Sequence, residues 1–174
     1  MTSFKFNSGL RKSRPIIDAA WPAMPEPLLG AYNQVLDASK AAARLGSGFT
    51  ESVYQMAMAV HLNASGWNPP GSRWQTELVY PVSAGSDYFG TCRADIVLPM
   101  VTDSDVEDQI KVSGVVIECK AVKSITDEHR AQLFAYMRVG NVFTGFIANF
   151  CVGDPIQRCE VQVETYLRNG TRFT

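Results

Sequence analysis

An apolar run that ends in charge constrains this chain more than any other segment. Gly114-Val115-Val116-Ile117-Glu118-Cys119-Lys120 reads as a strand that turns abruptly polar at its end. Residues two apart on a strand project to one face, so Glu118 and Lys120 point together while Cys119 points away. A second strand-like segment, Thr91 to Leu98, carries Asp95 inside another apolar run, where a carboxylate needs a partner or a metal. If the two strand ends are neighbours, two carboxylates and an ammonium group converge in one cleft that can hold a divalent cation and handle a water molecule. In outline that is a metal-dependent phosphodiesterase site.

A chain of 174 residues with 46% hydrophobic residues suits one globular domain, so one site is sought. Sixteen Lys+Arg against 17 Asp+Glu leave a net charge of -1, which neither recommends nor excludes a polyanionic partner. Cys92, Cys119, Cys151 and Cys159 form no C-x-x-C pair, and His61 and His129 have no ligand-like spacing to them, so a structural zinc site is not expected. The cysteines lie in or beside apolar runs, as reduced cysteines do, which points to a reducing compartment. No segment approaches membrane-spanning length, and the expectation is a soluble intracellular protein without a membrane partner.

Residues 1–27 join Arg11, Lys12 and Arg14 to several prolines and read as an extended basic arm, with a single domain over 28–174. Helical spacing predicts a helix from Leu28 to Leu45, stopped by Gly46. A second follows from Thr50 to Ala64, with Thr50 as N-cap and Val53, Ala57, Val60 and Ala64 as its buried stripe. Thr76–Val82 and Tyr88–Leu98 predict a hairpin around Gly85-Ser86-Asp87. Residues 102–111 hold four acids without apolar period and read as a solvated loop. The strand ending at Lys120 follows, then a helix from Asp127 to Val139 capped by Thr126, then strands over Phe143–Phe150 and Arg158–Tyr166. The order is ααβββαββ, a mixed α/β domain.

These elements carry Gly46-Ser47-Gly48-Phe49-Thr50-Glu51-Ser52-Val53-Tyr54, Arg93-Ala94-Asp95, Glu118-Cys119-Lys120 and Gln132-Leu133-Phe134-Ala135-Tyr136. Together these words resemble the GxxExxY family of the PD-(D/E)XK nuclease superfamily, over roughly residues 29–159. The resemblance implies a restriction-endonuclease-like core, a mixed sheet flanked by helices. It implies that Asp95 and Glu118 bind a metal, that Lys120 acts on the nucleophilic water or the scissile phosphate, and that Glu51 adds an acidic group. Gln132 and Tyr136, four apart on one helix and so on one face, would line the same cleft.

The expected activity is hydrolysis of nucleic-acid phosphodiester bonds, with DNA as the substrate. Mg²⁺ suits the hard oxygens of Asp95, of Glu118 and of the Cys119 carbonyl, with Glu51 acting through water, and Mn²⁺ can substitute. Lys120 can deprotonate water only if the cleft lowers its pKa; otherwise it stabilises charge. Arg11, Lys12, Arg14 and His129 are candidates for nucleic-acid contact, and cutting both strands from a single-site domain would favour a homodimer. Plainer readings stand beside these. Glu118 with Lys120 can be an exposed ion pair at a strand end, Glu51 a first-turn acid, and Gln132 and Tyr136 caps on the sheet. The alternative of another class is a nucleic-acid-binding or protein-interaction module that keeps the nuclease fold without turnover.

Overall fold

The computed structural model describes residues 24–66, 73–98, 114–150 and 159–173. The acidic 102–111 segment and the basic arm with Arg11, Lys12 and Arg14 lie outside them. Two helices, α1 (Glu26–Ala43) and α2 (Glu51–Ala64), precede β1 (Gln75–Ala84), β2 (Asp87–Leu98) and β3 (Val115–Lys120). Then come α3 (Asp127–Val139), β4 (Thr144–Phe150), β5 (Val161–Leu167) and a two-residue β6 (Arg172–Phe173).

The described strands form one six-stranded sheet in sequential order. Only β3 and β4 run parallel, joined by the α3 crossover; every other neighbouring pair is antiparallel. Strand alternation sends Val115, Ile117, Cys119, Phe146, Ala148 and Phe150 into a core with α1 and α2. Val116 and Ile147 face α3 through Leu133, Tyr136 and Met137. The sheet is therefore the middle of three layers, and β3 and β4 are buried along their whole length. Gly145 permits close packing of α3, since a Cβ there would lie 2.5 Å from Met137 Sδ and 3.0 Å from Leu133 Cδ1.

Helix α3 has the predicted bounds. Helix α1 starts at Glu26 rather than Leu28, with proline in its first turn, where the missing N–H costs no intrahelical bond. The predicted stripe of α2 is out of phase. Val53 and Val60 face solvent, and Tyr54, Gln55, Met58, Ala59 and Leu62 are buried. The helix is apolar on more than one face, so its sequence supports two stripes, and packing against α1 and Phe150 selects the one containing Tyr54, whose ring stacks 4.4 Å from that of Phe150. Thr50 has extended N-cap dihedrals but makes no side-chain cap bond; its hydroxyl pairs with that of Ser52. The short β6 adds a strand to the predicted order.

Candidate active site

The registers of the sheet align the candidate acids. Ile96 pairs with Ile117 as the last bridge between β2 and β3, so Asp95 and Glu118 come next on their strands. The ladder ends there because a side chain takes over: Asp95 Oδ2 accepts the Cys119 main-chain N–H at 2.8 Å. On the other side, Thr76↔Ile96 and Leu78↔Ala94 bracket Glu77 and Asp95. Glu77, Asp95 and Glu118 thus form one row across three strands.

That row is distorted. Glu77 has φ of 57°, a left-handed conformation that costs a non-glycine residue about 1–3 kcal/mol and needs surrounding contacts to persist. Those contacts are Gln55 Nε2, which donates to Glu77 Oε1, and Arg93 Nε, which meets Glu77 Oε2. Opposite Glu77 the alternation of β2 slips. Cys92, Ala94 and Val97 pack towards α3, whereas Ile96 and Leu98 pack towards α1 and α2. An irregular step at a site of this kind re-aims a side chain, as bulges beside functional sites do.

Glu118 and Lys120 are not an exposed pair. Their side chains are 1% and 8% exposed, and Lys120 Nζ donates to Glu118 Oε1 at 2.5 Å. Glu118 Oε2 is buried with no hydrogen-bond partner. Burial, reinforced by the Asp95 charge, outweighs the lysine contact and pushes the Glu118 carboxyl from 4.5 up to about 7. Asp95 is also raised, first by burial, with the Cys119 N–H and Lys120 opposing and Glu51 and Glu77 adding to the rise. Burial pulls Lys120 down, but its bond to Glu118 and the charges of Glu118, Glu51 and Asp95 prevail and hold it above the ordinary lysine value. That direction is opposite to the lowering that a lysine base would require.

Glu51 opens α2 and ties that layer to the sheet. Its Oε1 accepts the Ala121 N–H at 3.3 Å, and its Oε2 lies 3.9 Å from Lys120 Nζ. Asn149, paired with Lys120 across β3 and β4, accepts the Val122 N–H at 3.1 Å and donates to the Val122 carbonyl at 3.0 Å, which fixes the chain just past the lysine. On α3, Gln132 Nε2 donates to the Tyr136 hydroxyl at 2.7 Å. The Tyr136 phenol is raised by burial, against the Gln132 bond, and within reach of the Glu118 and Asp95 charges. His129 is farther from this group in role: its Nδ1 accepts the Thr126 N–H at the start of α3. Trp74 is buried in the core.

The structure thus gathers Glu51, Asp95, Glu118 and Lys120 into one cluster, with Gln132 and Tyr136 beside it. Sequence reasoning missed Gln55, Glu77 and Asn149, which position the others. Buried Gln55 sits midway between Val53 and Ala57 of the predicted stripe of α2, and Glu77 interrupts a run of strand formers; those were the only local signals. Among the described residues no three His, Cys, Asp or Glu side chains form a metal cage, and no helix is long and apolar enough to cross a membrane.

No curated protein matches the chain. A solved structure described as "Crystal structure of SSO0001" is similar over 52% of this chain and 40% of that chain, at 18% identity and a TM-score of 0.34, so this chain spans less than half of that relative's length. The sequence profile of the PD-(D/E)XK nuclease superfamily matches residues 31–162, most of the chain and every element that supplies the clustered acids and lysine. With that match, on a three-layer fold whose mixed sheet carries Asp95 and Glu118 side by side, the chain belongs to the PD-(D/E)XK nuclease superfamily.

Proposed function

We propose that the protein is a divalent-cation-dependent nuclease of the GxxExxY group that hydrolyses phosphodiester bonds in DNA. The observation that carries this reading is Glu118, a buried carboxylate with one oxygen on Lys120 and the other without a partner, beside a second raised carboxylate. Left as a mere ion pair, such a group would carry a desolvation cost with an oxygen unsatisfied. A divalent cation fits there: it would satisfy Glu118 Oε2 and relieve the repulsion from Asp95. Asp95, Glu118 and the Cys119 carbonyl would hold it, Glu51 would contribute through water, and Mg²⁺ takes such hard oxygen sets while keeping waters of its own, with Mn²⁺ able to substitute. Bound, the ion would supply charge neutralisation and a nucleophile at neutral pH.

The chain's own residues do the rest. Lys120 keeps its proton and places positive charge where a phosphoryl oxygen gains negative charge. Glu118 orients Lys120, and Glu51 and Asn149 fix the main chain on which the lysine rides. Tyr136 and Gln132 offer a hydroxyl and an amide to the substrate from the α3 side. The basic arm of residues 1–27, with Arg11, Lys12 and Arg14, contacts the polymer backbone ahead of a single catalytic domain, and His129 at the α3 start is a further phosphate donor. Cutting both strands from a single-site domain would favour two copies acting together as a homodimer.

The test is incubation of purified protein with plasmid, single-stranded DNA and RNA in Mg²⁺, Mn²⁺ or EDTA, with Lys120→Ala alongside. Metal-dependent DNA cleavage lost in the variant is the expected result. Binding to DNA without any metal-dependent cleavage would overturn it in favour of a non-catalytic module.

A further inference from the structure

Four arginines line the flank of α3 opposite to Gln132 and Tyr136. Arg130, Phe134 and Arg138 recur every four residues and share one face of the helix. Across from them, the end of β5, its turn and β6 bring Arg168, Asn169 and Arg172. Phe134 meets Tyr166 edge-on at 5.4 Å. Phe134, Arg138, Arg168, Asn169 and Gly170 line an open cleft of about 290 Å³.

The charges in this groove do not cancel. Buried Glu164 holds two guanidiniums, accepting from Arg130 through both oxygens at 2.9 and 3.0 Å and from Arg172 at 2.7 Å. Asp127, almost fully exposed, adds an outer partner to Arg130. Arg138 and Arg168 are exposed and make no ion pair among the described residues; Arg168 donates instead to the neutral Asn141 side chain. The helix C-terminus alone would explain Arg138. It does not explain Arg168, which comes from another element to face it across an aromatic floor.

The groove is also placed usefully. Glu118 pairs with Ile147 and Ile147 with Glu164, so Glu164 stands two strands, roughly 10 Å, from the candidate catalytic acid. Arg168 lies four residues farther along, roughly 13 Å at a strand's rise, so the track ends roughly 16 Å from the acids.

We propose that this arginine-lined groove between α3 and the β5–β6 hairpin grips the phosphate backbone of the nucleic-acid substrate several nucleotides from the scissile bond. Charge complementarity commits the occupant: an excess of fixed guanidiniums on a chain of net charge -1 suits a linear polyanion, and arginine matches phosphate in a bidentate manner. The inference deepens the nuclease reading and rests on it.

The experiment measures binding of a fluorescent DNA duplex of about 30 base pairs, by anisotropy in EDTA over a salt series, beside cleavage assays in Mg²⁺. Arg138→Gln/Arg168→Gln is expected to weaken binding roughly tenfold and to lower the slope of log affinity against log salt by about 2, one for each lost phosphate contact. Lys40→Gln/Arg44→Gln removes the same charge from the end of α1, on the opposite face of the sheet from the groove, and is expected to leave that slope in place. Circular dichroism melts confirm that each variant is folded. A wild type that cuts DNA while the arginine variant keeps its affinity and slope would sink the groove and leave the nuclease reading standing. A wild type that binds through these arginines and never cuts would do the reverse.

Discussion

Gln55 holds Asp95 by its main chain: Gln55 Nε2 donates to the Asp95 carbonyl oxygen at 2.7 Å and, at the same distance, to Glu77 Oε1. One buried amide therefore links the strained residue of β1 to the distorted step of β2. Gln55→Leu keeps the bulk and removes both bonds, leaving acceptors unsatisfied. The expected cost is about 1–3 kcal/mol in urea unfolding, with a fall in DNA cleavage beyond what the unfolded fraction explains. Full cleavage by a variant of wild-type stability would detach Gln55 from the site.

Metal should register as stability. Asp95 and Glu118 repel when no cation lies between them, so Mg²⁺ or Mn²⁺ is expected to raise the melting temperature, by the equivalent of about 2.7 kcal/mol at a hundredfold excess over Kd. Asp95→Ala should abolish most of the rise. A melting curve indifferent to millimolar metal would count against the centre.

The Glu118 carboxyl sets a pH dependence. Its folded pKa, about 7, lies above the ordinary 4.5, so between those values the folded chain binds a proton that the unfolded chain has released. In EDTA, that stabilisation is fully present below about pH 4.5 and is lost as pH rises through 7, with Asp95 acting in the same direction. Glu118→Gln should flatten this part of the curve in urea unfolding. Metal competes with the same proton, so metal affinity measured by calorimetry should climb through neutrality in the wild type.

Lys120→Ala separates charge from metal binding. Because Lys120 keeps its proton, the variant is expected to lose cleavage on the order of a hundredfold or more, the scale seen when one fixed donor to a developing charge is removed. Metal should still raise its melting temperature. Loss of both effects together would make the lysine structural.

The α3 layer has its own control. Gly145→Ala sets a Cβ against Met137 Sδ and Leu133, an overpacking expected to cost about 1–3 kcal/mol. Adding Met137→Ala should return part of that stability in denaturant titrations. An unchanged midpoint for Gly145→Ala would show that the helix can lift away freely.

Much of this arrangement was legible in order of residues because its signals are local. Thr126, the acids after it and Arg138 near the end bound α3 correctly, and the apolar run into Glu118-Cys119-Lys120 marked a strand with chemistry at its tip. Helix α2 misled because Val53 and Val60 repeat as regularly as Tyr54, Met58 and Leu62, and only the neighbouring layer decides which set is covered. Glu77 and Gln55 were opaque for a different reason. Their meaning lies in a row across strands and in an amide that reaches from helix to sheet, relationships between distant residues that no window of sequence contains. Two residues of β6 are too few to show a period at all.

The bond from Glu51 to the Ala121 N–H spans a layer boundary. A nascent chain with its strands already paired but its first two helices still undocked would lack that acid and the anchor beneath Lys120. On the nuclease reading proposed above, competence to cut arrives only with the finished fold, and a half-made molecule would leave the polymer untouched.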